Sequence, residues 1–304
     1  NRVSGRGSGL SLLAFPLALT MAHFFKENSS CYFCFRYLEN PVYLNCGYIC
    51  CFQCLDSLEK SPEGDGVLCP NCSVVSLKED IRHAKQLRNL VTTVKDLEPQ
   101  LNFILTMDPS MKIFQVNMIL DVDTAQNNLI ISEDLRSVYH TSQTQDRKKC
   151  AERFDPSPCV LGSSRFTSGC HYWEVVVGTS KEWDIGICKE SINRQEVVYL
   201  SEKKGFWTVG VRNEEVYAAS TDPLTVLLVN PRLHRVGIFL DLLEKSVSFW
   251  DLGDGSHIYT FLEIPDTEPF RPFFSPANTY PDEEQVISIC PVMNPSIFGL
   301  PVNP

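Results

Sequence analysis

The sequence predicts an α+β chain with a small cysteine-rich module, a short helical linker and a C-terminal antiparallel β-sandwich. Three observations support this fold class. Eight of the 13 cysteines lie between residues 31 and 72, and an apolar stripe with helical spacing follows them. The rest of the chain alternates short β-rich runs with turns rich in glycine and proline. A length of 304 residues is ordinary for two domains.

The N-terminal segment, residues 1–20, needs separate treatment. Its apolar run over residues 10–19 follows Arg2 and Arg6 and imitates a signal peptide. Met21 is a more natural start, so we expect residues 1–20 to be a disordered or non-native extension. The boundaries that follow are a cysteine-rich module over residues 29–75, a helical linker over 76–117, a β-sandwich over 118–291 and a flexible tail over 292–304.

Composition narrows the classes of partner. The formal net charge is −10 and no run of lysine and arginine stands out, whereas a nucleic-acid binder needs a basic footprint. No apolar run reaches the roughly 20 residues of a membrane-spanning helix. We therefore expect neither nucleic acid nor membrane as a partner, and reduced cysteines in the cytoplasm, the nucleus or both.

The linker carries one apolar stripe. Its residues are spaced by three and four positions: Leu87, Leu90, Val94, Leu97, Leu101 and Ile104. This spacing predicts a helix from about Leu77 to Leu97, which Pro99 then interrupts, because a proline inside a helix costs about 3 kcal/mol. The stripe is too short for a convincing coiled coil, so we expect the helix to dock on a neighbouring domain.

The C-terminal region predicts many short strands. Candidates are residues 171–177, 183–188, 206–211, 235–242, 247–251 and 257–262, separated by turns such as residues 251–255. Strands of this length and spacing are typical of a β-sandwich. All four tryptophans lie in this region, and we expect them in its core: Trp173, Trp183, Trp207 and Trp250.

The cysteine spacing predicts zinc. Three Cys-x2-Cys pairs occur within 42 residues, and a seventh cysteine lies between the first two pairs: Cys31 and Cys34, Cys46, Cys51 and Cys54, Cys69 and Cys72. A short Cys-x2-Cys turn directs two sulfur atoms at one tetrahedral zinc ion. So small a block has too little core to fold without such support.

This arrangement resembles the RING finger, in which two zinc ions are bound in a cross-brace. The resemblance implies a first zinc on Cys31, Cys34, Cys51 and Cys54, and a second on Cys46, Cys69 and Cys72. At the family's remaining position, a histidine, this chain has Tyr48, whose phenol is neutral at pH 7 and a poor ligand. Either Cys50 completes the second site, or the second ion is held weakly or lost.

A RING finger binds a ubiquitin-charged conjugating enzyme and positions its thioester, without chemistry from its own side chains. By this resemblance Phe33, between the first two cysteines, and Pro70, in the last knuckle, would contact the conjugating enzyme. Many active members have arginine or lysine after the last cysteine to hydrogen-bond ubiquitin, whereas this chain has Ser73.

The C-terminal half resembles a PRY-SPRY (B30.2) domain, a sandwich that binds proteins through its variable loops. The resemblance rests on motifs in the expected order, among them His171-Tyr-Trp-Glu174, Trp183-Asp-Ile-Gly-Ile187, Gly205-Phe-Trp-Thr208, Arg235–Asp241 and Phe270-Arg-Pro-Phe-Phe274. The region contains no spacing typical of a catalytic nucleophile or of a phosphate-binding loop, so we expect no catalytic residues.

RING followed by PRY-SPRY is the layout of tripartite-motif proteins without the B-box and the coiled coil. This short form resembles the ret finger protein-like family, and the Cys46-Gly-Tyr-Ile-Cys-Cys51 variant is most similar to its ret finger protein-like 4 group. A monomer is expected in the absence of the coiled coil. The resemblance implies a ubiquitin ligase or ligase adaptor with a protein substrate; the alternative is a non-catalytic scaffold with a degenerate RING.

Overall fold

The computed structural model describes residues 15–62, 64–212, 216–229, 233–276 and 285–292. The chain divides into two compact units, and the smaller one comprises Ala18–Leu105. Most of the expected N-terminal extension and all but residue 292 of the expected C-terminal tail lie outside the described residues. No helix in the described part of the chain is long and apolar enough to cross a membrane.

The smaller unit contains the cysteine-rich module and the helices on either side of it. Two small antiparallel sheets are present, one with strand order β2-β1-β5 and one formed by β3 and β4. The elements are α1 (Phe15–Asn28), β1 (Pro41–Tyr43), β2 (Ile49–Cys51), a 3-10 helix (Phe52–Ser57), β3 (Gly66–Leu68), β4 (Val75–Leu77), β5 (Arg82–His83), α2 (Lys85–Asp96) and α3 (Glu98–Ile104).

Helix α1 begins at Phe15, inside the segment that was predicted to be a disordered or non-native extension. It includes residues 15–20, which were assigned to the extension. Leu19 and Ala22 are buried, with exposed fractions of 1% and 3%, and Lys26 donates to the Asn102 side chain at 3.1 Å. Burial of apolar side chains therefore accompanies helix formation in a segment that the sequence analysis had assigned to an extension.

The linker helix starts later than predicted. Residues 75–77 pair with β3 and residues 82–83 pair with β1, so the helix begins at Lys85 rather than near Leu77. These pairings are non-local and override the helical spacing. The predicted break is confirmed, because α2 ends at Asp96 and Pro99 lies in the first turn of α3, where a missing N–H is tolerated.

The prediction that this helix docks on a neighbouring domain is confirmed within the small unit. Val91 is buried in the apolar core of the cysteine-rich module, and Leu87 packs against the same core. Val94 is also buried, whereas Leu90 and Leu97 are exposed. Only one side of the apolar stripe therefore packs against the module, and the other side is exposed to solvent.

The larger unit is a sandwich of two seven-stranded sheets, in which all strand pairs are antiparallel. One sheet has the order β17-β16-β15-β10-β19-β8-β7, and the other has the order β14-β13-β12-β11-β18-β9-β6. Its strands are β6 (Leu120–Asp121), β7 (Leu129–Ile131), β8 (Ser137–His140), β9 (Val160–Gly162), β10 (Cys170–Val176), β11 (Trp183–Lys189), β12 (Phe206–Arg212), β13 (Val216–Ala219), β14 (Thr225–Leu227), β15 (Arg235–Asp241), β16 (Ser246–Asp251), β17 (His257–Phe261), β18 (Phe270–Pro276) and β19 (Ile287–Ile289).

The six strands that the sequence predicted are present within one residue at each end, as β10, β11, β12, β15, β16 and β17. The four tryptophans are buried, with exposed fractions of 4% or less. Trp173, Trp183 and Trp207 meet in the core between the sheets. Burial of such large apolar side chains supplies much of the stability of the sandwich.

Part of the predicted linker belongs to the sandwich. The N–H of Met107 donates to the carbonyl of Gly255 at 2.8 Å, and the N–H of Val116 donates to the carbonyl of Tyr172 at 2.8 Å. Lys112 lies 3.5 Å from the buried carboxylate of Glu174. Residues 106–117 therefore belong to this unit rather than to a linker.

Arg271 ties together distant parts of the sandwich. Its guanidinium, only 5% exposed, donates to the carbonyl of Gly162 on β9 at 2.8 Å and to Asp121 on β6 at 2.8 Å. It also donates to Glu190, just after β11, at 3.2 Å. One buried cation thus joins strands contributed by the first and second halves of the sandwich sequence.

Candidate zinc centres and partner-binding cavity

The first predicted zinc site is assembled. The sulfur atoms of Cys31, Cys34, Cys51 and Cys54 all lie within 4.8 Å of one another. The distance between Cys34 Sγ and Cys51 Sγ is 3.9 Å, and three of the four thiols are buried. Four thiols at these distances fit a closed tetrahedral zinc site.

Two knuckles present cysteine pairs with the same backbone geometry. In the first, the N–H of Phe35 donates to the carbonyl of Cys31 at 2.8 Å, and in the second the N–H of Ser73 donates to the carbonyl of Cys69 at 2.8 Å. Phe35 and Ser73 have φ values of +55° and +56°. This left-handed turn is what directs both sulfur atoms of a pair to one side.

The second predicted site contains three thiols. Cys46, Cys69 and Cys72 lie within 4.8 Å of one another, and no histidine, cysteine, aspartate or glutamate elsewhere in the described residues joins them. Cys46 and Cys72 are exposed, unlike the buried thiols of the first site. The donor set of the second site is therefore incomplete for a structural zinc.

The fourth-ligand position carries Tyr48. Its side chain packs against the apolar core of the module. Burial, together with the nearby thiols, raises the pKa of Tyr48, so the phenol stays neutral. Residues 31–72 contain no histidine at all.

The structure does not bring Cys50 into the second group. Cys50 pairs with Val42 across β1 and β2, is fully buried and forms part of the apolar core. Burial raises the pKa of its thiol to about 12. Cys50 and Cys51 are neighbours in β2, yet only Cys51 reaches a metal group, because adjacent strand residues point to opposite faces.

The ligand thiols differ in how readily they lose a proton. Burial opposes ionisation of Cys31, but backbone N–H groups of Cys34, Cys51 and Phe33 outweigh it and lower its pKa. The same balance lowers the pKa of Cys69. Burial instead raises the pKa of Cys51 to about 11. Zinc binding must therefore displace protons, and metal affinity should fall in acid.

The predicted contacts for a conjugating enzyme lie at the surface. Phe33 is 37% exposed in the first knuckle, and Pro70 is exposed in the second. Phe33 lies between Cys31 and Cys34, and Pro70 lies between Cys69 and Cys72. Ser73 closes the second knuckle and is also exposed.

The sandwich has a cavity of about 350 Å³ that the sequence analysis missed. Its lining includes Asp184, Arg212, Tyr199 and Leu224. Arg212 donates to Asp184 at 2.8 Å. No local pattern predicts the cavity, because pairing of β11 with β12 brings Asp184 close to Arg212. The sequence feature that could have indicated it is Gly210, because a glycine inside a strand often marks a place where another part of the chain comes close to the backbone. A Cβ at this position would overlap the Asp184 side chain.

We expect Asp184 to make the stability of the sandwich depend on pH. Burial raises its pKa to about 6, although Arg212 opposes the rise, and the unfolded value is about 3.9. Above pH 6, ionisation of the buried Asp184 carboxylate therefore lowers the free energy of unfolding. This loss disappears as the pH falls towards 4, because the carboxyl becomes protonated in the folded protein. Relative to Asp184→Asn, the wild-type free energy of unfolding should decrease between pH 4 and 6 by on the order of 2 kcal/mol.

Urea titrations followed by tryptophan fluorescence between pH 4 and 7.5 measure this difference. Above pH 6 the two proteins should keep a constant offset. Parallel pH profiles over the whole range would show that Asp184 keeps an ordinary pKa in the folded protein.

Four families match successive segments of the chain. They are the zinc finger of C3HC4-type, RING, over residues 31–72; the RFPL defining motif over 74–115; the SPRY-associated domain over 118–166; and the SPRY domain over 170–288. The first match supports zinc as the metal of both cysteine groups. Its C3HC4 pattern includes a histidine that this chain lacks, in agreement with the three-thiol geometry of the second site.

Two E3 ubiquitin-protein ligases match part of this chain. E3 ubiquitin-protein ligase TRIM68 of Mus musculus is 44% identical over 176 residues, which cover 57% of this chain and 36% of that protein. TRIM11 of Rattus norvegicus, also an E3 ubiquitin-protein ligase, is 42% identical over 178 residues with the same coverage. The chain thus spans about a third of the TRIM proteins, and the combination of RING and SPRY resembles these ligases.

Solved structures and a full-length relative settle the fold and the family. The crystal structure of the TRIM65 PSpry domain matches 61% of this chain and 96% of that chain with a TM-score of 0.52 and 20% identity, which shows the sandwich fold. Ret finger protein-like 4A of Mus musculus is 82% identical over 286 residues, covering 93% of this chain and all of that protein. The chain belongs to the ret finger protein-like family.

Proposed function

We propose that this protein is a RING-type E3 ubiquitin ligase or the substrate-binding adaptor of one. The RING recruits a ubiquitin-charged conjugating enzyme, and the sandwich binds a protein substrate. The observation that carries the proposal is the pair of matched knuckles, which expose Phe33 and Pro70 beside two cysteine groups. The RING and SPRY family matches support it, as does the likeness of about 57% of the chain to TRIM ligases.

Ubiquitin transfer by this module rests on positioning rather than on its own acid, base or nucleophile. Zinc, when bound, would join the first knuckle to Cys51 and Cys54 and the second knuckle to Cys46, and it performs no chemistry on the substrate. The exposed ring of Phe33 packs against an apolar groove of the conjugating enzyme, and Pro70 fixes the backbone beside it. Holding the charged enzyme in one orientation lowers the entropic part of the barrier to thioester attack.

We infer that the cavity lined by Asp184 and Arg212 receives part of the protein substrate. It combines an ion pair with the exposed rings and methyl groups of Tyr199 and Leu224, which are 71% and 54% exposed. Apolar walls with a few fixed polar groups are typical of recognition sites. A volume of about 350 Å³ accommodates a few side chains of a peptide or loop.

The Phe33→Ala variant should lower the rate of ubiquitin discharge from charged conjugating enzymes by at least about tenfold. A central aromatic contact is worth roughly 2 kcal/mol or more when truncated. The measurement uses the full chain and a panel of charged conjugating enzymes in single-turnover discharge. Zinc content should stay unchanged, because Phe33 is not a ligand.

The matched control is Phe52→Ala, which removes another exposed aromatic side chain of the same unit, 51% exposed and outside the two matched knuckles. Its discharge rate should equal that of the wild type. If Phe33→Ala transfers ubiquitin as fast as Phe52→Ala, the proposed contact surface is wrong.

A non-catalytic scaffold is the second candidate function, and two observations favour it: the three-thiol second site and Ser73 after the last cysteine. The Ser73→Arg variant separates the two functions. In a ligase it should raise discharge, because a guanidinium there can hydrogen-bond ubiquitin. No discharge by the zinc-loaded wild type or by Ser73→Arg would favour the scaffold, with the sandwich tethering its partner.

A further inference from the structure

The backbone hydrogen bonds around the second cysteine group are well formed, although the group supplies only three metal ligands. The loop that carries Cys46 is fixed at several points: the N–H of Leu44 donates to the carbonyl of Tyr48 at 2.8 Å, and the N–H of Gly47 donates to that of Leu44 at 2.9 Å. The N–H of Asn45 also donates to the hydroxyl of Ser76 at 2.9 Å, and Ser76 is fully buried. Cys46 is therefore held in place before any metal binds.

The other two thiols are equally fixed, since Cys69 and Cys72 belong to a knuckle with the same hydrogen bonds as the first site. The two residues that could have supplied a fourth metal ligand have their side chains elsewhere. Tyr48 packs against the apolar core, and Cys50 is held in that core by its pairing with Val42. Within the described residues nothing else supplies a fourth donor.

The open side of this group faces solvent. Cys46 and Cys72 are exposed, whereas Cys31, Cys51 and Cys54 of the first group are buried. Structural zinc sites are closed by four protein ligands, and a site with three protein ligands keeps a position for an exogenous one. An ion on three thiolates at the surface is therefore accessible at its fourth position.

We propose that the second metal site of this RING is a three-thiolate site whose fourth position exchanges with solvent and takes an exogenous small-molecule thiolate. Thiolate is the class of donor that matches the three already present. As its sulfur enters the open position, the incoming thiol gives up its proton to solvent, so no oxidant or reductant is needed. The RING thereby gains a ligand-responsive site that a complete cross-brace does not have.

Cobalt substitution of the full chain tests the proposal by absorption. The second equivalent of Co²⁺ should show weaker sulfur-to-cobalt charge transfer than the first, and 2-mercaptoethanol should then increase that band in a saturable manner. The Tyr48→His variant restores the family's fourth ligand, so it should bind the second Co²⁺ at least roughly tenfold more tightly and lose the response to thiol. Tyr48→Phe should behave like the wild type.

Two further readouts exclude other origins of the response. Cys46→Ser should abolish it while leaving the first equivalent of Co²⁺ unchanged. Native mass spectrometry of the zinc-loaded chain should show a thiol adduct that a chelator removes and that a phosphine reductant leaves in place, unlike a mixed disulfide. A second cobalt spectrum that already has four sulfur ligands, or that ignores added thiol in the wild type, would overturn the proposal.

Discussion

Replacing Cys51 by alanine should release the zinc of the first site and unfold the small unit, while the sandwich stays folded. Cys51 lies among the four thiols of that site and is 1% exposed. Structural zinc contributes roughly 10–16 kcal/mol of apparent binding free energy, which exceeds the stability of most small domains. The loss of one ligand should therefore prevent folding of this unit at ordinary zinc concentrations.

The matched control is the neighbouring Cys50→Ala, since Cys50 is equally buried but packs in the apolar core. It should cost only about 1 kcal/mol and leave zinc content unchanged. Zinc is measured with a chromophoric chelator, and the sandwich is followed separately, because all four tryptophans lie in it. Equal zinc loss in both variants would mean that Cys50 is a ligand and that the assignment of the two cysteines is wrong.

Replacing Arg271 by methionine should destabilise the sandwich by about 3–5 kcal/mol. The guanidinium is buried and bonded to Asp121, Glu190 and the carbonyl of Gly162. Methionine keeps most of the volume but removes the cation bonded to Asp121 and to the Gly162 carbonyl, while Glu190 keeps Arg165 and Arg194. Removing one partner of a buried ion pair carries a cost of this size. The urea midpoint of the tryptophan signal measures the change.

Arg165→Ala provides the control for this prediction. Arg165 donates to the same Glu190 carboxylate at 2.9 Å, but its side chain is 62% exposed. Exposed ion pairs contribute about 0–1 kcal/mol, so the urea midpoint of this variant should lie close to that of the wild type. If the two arginine variants shift the midpoint equally, burial does not decide the strength of this network.

The strands of the sandwich were predictable because their signals are local. Runs such as residues 235–241 are mostly apolar and end at turns, so the sequence predicted six strands with nearly correct bounds. Short strands were missed where the local signal is weak. Strand β6 has two residues, and it is defined only by its pairing with β9, about 40 residues away.

The linker illustrates the opposite case. Leu87, Leu90 and Val94 indicated a helix correctly, but its start was wrong because pairing with β1 and β3 takes residues 75–83 into turns and strands. Val91 was not counted in the stripe, yet it is the residue buried in the core of the module. Which edge of an amphipathic helix is buried depends on the partner, and the helix alone does not contain that information.

The sequence by itself determined the metal chemistry, since the Cys-x2-Cys spacing places two sulfur atoms on one side of a short turn. It also determined the sandwich architecture, because short strand-forming runs and the turn residues between them act over a few positions. Only the tertiary structure separated Cys51 from Cys50, left the second site with three thiols, and joined Asp184 to Arg212 and Arg271 to Asp121. These relations link residues that are distant in the chain or that share a local pattern, so they exist only when the strands pair and the side chains are packed.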